Sequence, residues 1–156
     1  MKLWLNGDAM KNNVASLLLK LEEVLKNFSR DFSGLDAVYL LDEQGFTVVN
    51  LGERNDEDVL YNLINLLKEN FPELVLLEIE DAATRLCLAR IPDTGYFIAV
   101  YASKTIAAGL VRIKIKYLSH ELKYYLDTLD KSIEEEEKEE VNIEDLKRLL
   151  EFLSKR

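Results

Sequence analysis

The chain has 156 residues and a mass of 18.0 kDa; 48% of them are hydrophobic, and 29 acids against 20 bases leave a net charge of −9. That length suits one domain that buries roughly two-thirds of its unfolded surface, and a single Cys and a single His exclude a disulfide framework, a multi-cysteine metal site and a two-histidine site. No apolar run nears the ~20 residues of a membrane span, and an acidic chain repels phosphate backbones, which argues against nucleic acid.

The start, Met1 to Asp8, is too short and too soon polar for a secretory signal, so a soluble cytoplasmic protein is expected. Residues 1–8 read as an extension. Residues 9–28 read as an amphipathic helix, with Val14, Leu17, Leu18, Leu21, Leu25 and Phe28 at three- and four-residue spacings and Asp8 as its cap. Ser33-Gly34 breaks it. Ala37–Leu41 and Phe46–Val49 flank Asp42-Glu43-Gln44-Gly45, a tight hairpin with Gly45 free to take positive φ. Acids at Asp56, Glu57 and Asp58 open a second helix that runs to about Asn70, where Phe71-Pro72 ends it. This helix carries two apolar stripes: Val59, Leu63 and Leu66, and Leu60, Ile64 and Leu67. One stripe covers a sheet, and the second suggests cover by another chain.

Three strands follow, Leu74–Glu80, Thr84–Ile91 and Tyr96–Tyr101, joined by turns at 80–83 and 92–95. From Thr105 the spacing is helical again. Ile106, Leu110, Ile113 and Tyr117 form one stripe, with Val111, Ile115, Leu118 and Leu122 beside it. Gly109 inside this helix suggests close packing on the sheet, offsetting a cost of about 1 kcal/mol relative to Ala. Leu126, Leu129 and Ile133 carry the stripe past the core. Residues 127–156 read as an acidic extension and a short terminal helix from Ile143 to about Leu153, capped by Asn142. Residues 130–145 hold nine acids and two bases, and residues 146–156 one acid and four bases. The Glu-rich block reads as a solvated helix or spacer, or else as a docking strip for a basic partner.

Signals for chemistry are missing. The six glycines form no phosphate-binding loop, and no Gly-x-Ser-x-Gly elbow occurs. Cys87 lies mid-strand and reads as core; His120 reads as a surface residue. Asp42, Glu43, Glu80 and Asp81 fall in turns, where acids serve turn geometry. Arg112, Lys116 and Lys123 form a basic stripe that reads as a solvated face. No catalytic residue, metal ligand or cofactor is expected.

The order helix, hairpin, helix, three strands, helix reads as an α+β sandwich with a largely antiparallel sheet. The stretch Gly34-Leu35-Asp36-Ala37-Val38-Tyr39-Leu40-Leu41-Asp42-Glu43-Gln44-Gly45-Phe46-Thr47-Val48 resembles the opening hairpin of the Roadblock (dynein light-chain) domain. The likeness continues through the acid-capped second helix, the three-strand meander and Ala108-Gly109-Leu110-Val111-Arg112, and covers residues 9–126. In layout it is nearest to the bacterial gliding-motility branch of that family. The resemblance implies a Roadblock/profilin-like three-layer sandwich: five mainly antiparallel strands with helices on both faces, here with a C-terminal helical extension. It implies a non-enzymatic homodimer that regulates or scaffolds a small Ras-like GTPase in a nucleotide-dependent way, or alternatively a nucleotide-independent structural adaptor. It places the dimer interface at Leu60, Ile64, Leu67, Leu74 and Leu76. Where the family's second helix is typically rich in Ala and Gly, this one holds Tyr61, Asn62 and Asn65. The GTPase-facing patch then falls at Tyr61, Asn62, Asn65 and Lys68.

Overall fold

A computed structural model describes the backbone of residues 2–154 and the side chains of 13–137 and 144–154. In chain order the elements are α1 (Lys2–Asp31), β1 (Leu35–Leu41), β2 (Thr47–Gly52), α2 (Glu57–Asn70), β3 (Leu76–Glu80), β4 (Thr84–Arg90), β5 (Phe97–Ser103) and α3 (Ala108–Ser154). The strands form one antiparallel sheet in the order β2-β1-β5-β4-β3. The connection from β2 to β3 therefore crosses the whole sheet, and α2 is that crossing. This is the five-stranded α+β sandwich expected.

Side chains alternate across the strands, and each face of the sheet has its own core. On one face Leu60, Ile64 and Leu67 of α2 pack on Tyr39, Leu41, Leu88, Phe97 and Tyr101. On the other, α1 and α3 lie together over Val38, Leu40, Cys87, Ile98 and Val100. The inner stripe of α3, Val111, Ile115, Leu118, Leu122 and Leu126, is fully covered there. Leu110, Ile113 and Tyr117 are exposed on its outer side.

Several boundaries differ from the sequence reading, three of them with consequences. The backbone of α1 is helical from Lys2, so the expected extension continues the helix; the side chain of Asp8, its expected cap, lies outside the described residues. β3 starts at Leu76 because Leu74 belongs to the turn, donating its N–H to the Phe71 carbonyl and accepting from Arg90 Nε at 2.7 Å. The terminal helix is not separate: α3 runs unbroken for 47 residues, about 70 Å at the helical rise. No Gly or Pro follows Gly109, and Glu and Lys are good helix formers. Asn142 lies within that helical backbone rather than at a start, and its side chain is outside the described residues. Gly109 also corrects an expectation, because a Cβ built there meets nothing within 4 Å. Close packing is not what keeps it small.

Candidate protein-interaction face

The two stripes of α2 have different fates because a helix laid on a sheet turns only one of them inward. Leu60 and Ile64 are 0% exposed and Leu67 is 5% exposed, all covered by the chain's own sheet. They are core residues, and the expected interface role cannot be theirs, since a side chain already sealed in the core has no surface left for a second chain. Val59 and Leu66, at 51% and 52% exposure, carry the uncovered stripe, with half-buried Leu63 between them. Leu74 and Leu76 are half-buried, and Leu76 packs on the α1–α3 side of the sheet.

The uncovered stripe lies beside one of the two edges of the sheet, that of β3. β3 pairs only with β4, which leaves its outer row of backbone groups without a strand. Val75 is 61% exposed and Ile79 is 42% exposed, while Leu77 packs on the α2 side. A cavity of about 320 Å³ opens between helix and edge, lined by Val59, Leu63, Ile79, Leu86, Arg54 and Tyr101 among others. Its polar wall is built. The Arg54 guanidinium lies 4.1 Å from the centre of the Tyr101 ring and binds Asp56 at 2.8 Å. The hydrogen bond to Asp56 raises the Arg54 pKa, and burial together with the Asp56 charge raises that of the Tyr101 phenol. Buried Tyr39 donates its hydroxyl to the Arg54 carbonyl, fixing the loop that carries Asp56 to the start of α2. On the other side of β3, Arg112 of α3 binds Glu78 through both carboxylate oxygens, one at 2.9 Å, and that hydrogen bonding lowers the Glu78 pKa.

The residues expected to face a GTPase lie mostly on the opposite flank of α2. Tyr61 packs against Phe46 with tilted rings whose centres are 5.3 Å apart. Asn65 donates to the carbonyls of Gln44 at 3.1 Å and Tyr61 at 2.9 Å. These two clamp the β1–β2 turn onto the helix. Lys68 borders a separate cavity of about 210 Å³ with Glu43 and Arg90. Asn62 is exposed at the crest.

The stripe Val59, Leu63 and Leu66 was visible as a periodicity, and the row Val75, Leu77 and Ile79 could have been found from strand alternation in an edge strand. Nothing in the sequence signalled the Arg54–Tyr101 contact. Among the described residues no cluster of three or more His, Cys, Asp or Glu could hold a metal, and no helix is long and apolar enough to cross a membrane. Cys87 is fully buried, and that burial, with Glu78 nearby, pushes its thiol up to about 11.

Solved structures share this fold. Myxococcus xanthus MglB superposes with a TM-score of 0.63 at 19% identity, covering 72% of this chain and 91% of that one. The fold is that of the Roadblock domain. The gliding protein MglB of Thermus thermophilus matches at TM-score 0.63 and 12% identity over 72% of this chain and 92% of its own. A Roadblock/LC7 domain from Streptomyces avermitilis matches at 0.58 and 16% identity over 67% and 96%. No family sequence model and no curated protein matches the chain. Residues 9–126, on which the Roadblock resemblance rests, contain every strand of the Roadblock sheet and the whole of α2.

Proposed function

We propose that this chain is a self-associating, non-enzymatic Roadblock regulator or scaffold that binds a small Ras-like GTPase in a nucleotide-dependent way. The observation that carries the reading is the uncovered stripe of α2, Val59, Leu63 and Leu66, set beside an unpaired strand edge. On a Roadblock fold, a second copy covers that surface and joins the two sheets. The GTPase-facing part rests on the resemblance alone. Within it, Asn62 and Tyr61 are exposed, Tyr61 lying against Phe46, whereas half-buried Asn65 is hydrogen-bonded within the chain.

A regulator shifts the GTPase only by the difference in its affinity for the two nucleotide states. The test is capture on the immobilised chain of a Ras-like GTPase from the source organism, loaded in parallel with GDP and with a non-hydrolysable GTP analogue. Retention in the GTP arm alone supports the regulator. Equal retention in both arms supports the second reading, a structural adaptor indifferent to nucleotide. Asn62→Arg should weaken capture while leaving the mass of the self-associated species unchanged; undiminished capture would move the contact off α2.

A further inference from the structure

On the face of the sheet opposite α2, the outer flank of α3 is uncovered. Leu110, Ile113, Tyr117 and Tyr124 are between 46% and 72% exposed. Their spacing of three, four and seven residues sets all four on one side of the helix, along about 21 Å. Val111, Ile115, Leu118 and Leu122 already serve the core, so this is a second apolar face on a helix that the chain covers on one side only. Beside it a groove of about 460 Å³ opens between α1 and α3, lined by Val24, Phe28, Phe32 and Tyr117 among others. The Phe28 and Phe32 rings stack there with centres 5.8 Å apart.

Charge selects what fits this face. Lys114 and Glu121 line the same groove, three residues before and four after Tyr117. Neither joins an ion pair among the described residues, whereas Arg112 and Lys123 on the far flank are held by Glu78 and Asp93. Seven residues, about 10.5 Å of helix, keep Lys114 and Glu121 from bonding each other. A second α3 laid antiparallel, with a two-fold axis between positions 117 and 118, brings Lys114 to the partner's Glu121 and Glu121 to the partner's Lys114. In that register the partner's Tyr124 falls between Leu110 and Ile113, and the partner's Tyr117 meets the groove. A parallel pair instead sets Lys114 beside the partner's Lys114 and Glu121 beside the partner's Glu121, which is destabilising. An antiparallel overlap of the full helices sets Lys116 against the partner's Lys147 and lays Glu134 and Glu135 along the partner's Asp127.

We infer that two copies of this chain also pair back to back through α3, antiparallel about Tyr117, with reciprocal ion pairs between Lys114 and Glu121. The interface is isologous, so each copy supplies both the aromatic side chain and the groove that receives it. It lies on the other side of the sheet from α2 and does not compete with the association proposed above. The two contacts together build assemblies larger than a dimer.

The test is sedimentation of the full chain at low salt across a concentration series, with Leu66→Ser in every sample to weaken the α2 contact. Dimers should still form. Lys114→Glu and Glu121→Lys should each raise the concentration at half-association about tenfold, because each turns two attractions into two repulsions. The double variant Lys114→Glu with Glu121→Lys should return it close to the starting value, a rescue that a merely structural role for either residue would not give. Should a charge variant fail to fold by circular dichroism, Tyr117→Ser at the exposed axis position should raise the same midpoint. Where species larger than a dimer persist, the same variants are read on the step above the dimer. A monomer at every concentration, charge variants without effect, or a double variant no better than the single ones overturns the pairing. Failure of the α2 reading shows separately, as a Leu66→Ser chain that sediments like the unaltered one.

Discussion

At the scale of single residues, hydrogen bonds and steric room decide what each position tolerates. Gly45 sits at φ +96° in the β1–β2 turn, and a Cβ there comes within 3.2 Å of the Tyr61 backbone. Gly45→Ala should cost about 1–3 kcal/mol in urea unfolding, because strain and crowding act together. Gly109 is the opposite case. It has open space and an ordinary helical backbone, so Gly109→Ala should raise stability by a few tenths to about 1 kcal/mol. Glu78 sets a pH dependence. Its folded pKa is lowered by hydrogen bonds from Arg112, so its contribution is present above the unfolded carboxylate pKa and is lost as pH falls through the folded value. Glu78→Gln should therefore lower stability at pH 7, leave it little changed at low pH where Glu78 is protonated, and so flatten the acid limb of a stability-versus-pH curve; an unaltered curve would show that the pair contributes nothing. The buried Cys87 thiol should resist iodoacetamide at pH 8 in the folded chain and react fully in urea.

Elements are governed by which face is covered. On α2, Ile64→Ala opens a cavity in a sealed core and should cost about 2–5 kcal/mol. Leu66→Ser, on the exposed flank of the same helix, should change unfolding of the dilute chain by less than about 0.5 kcal/mol. It should instead weaken self-association, read by sedimentation across a concentration series. The C-terminal part of α3 poses a related question. Leu146, Leu149, Leu150 and Leu153 are exposed in the single chain, so the body of that chain does not cover them. Deleting residues 144–156 should leave the thermal midpoint of the dilute chain unchanged within error. A marked drop would show that this stripe packs on the dimer.

For the whole molecule, the acidic balance and the antiparallel sheet, whose edges are β2 and β3, shape what kind of partner it accepts. Surface of one sign keeps copies soluble, and an unpaired edge is a liability that the chain must cover or blunt. Acids at Glu78 and Glu80 alternate with the apolar row of β3, and Glu78 is already committed to Arg112. That charge pattern discourages indefinite edge-to-edge stacking. The basic residues Arg112 and Lys123 serve the body too, pairing with Glu78 and with Asp93 at 3.0 Å. On this solvated stripe Arg112 ties α3 to β3 and Lys123 ties it to the β4–β5 turn.

The sequence by itself determined the order of elements, the turns and the two-sided character of α2. Local chemistry and periodicity are written residue by residue: Asp42 accepts from the Gln44 and Phe46 amides, and Asp81 from those of Ala83 and Thr84, as turn acids do. Only the tertiary structure decided which stripe of α2 faces inward, because both are equally apolar and the choice depends on how the helix crosses the sheet. It also decided that Tyr61 and Asn65 clamp a turn and that Arg54 meets Tyr101. Both outcomes depend on contacts between segments far apart in the chain, which no local spacing encodes; the unbroken α3 follows from the lack of any Gly or Pro after Gly109, a signal that the sequence did carry.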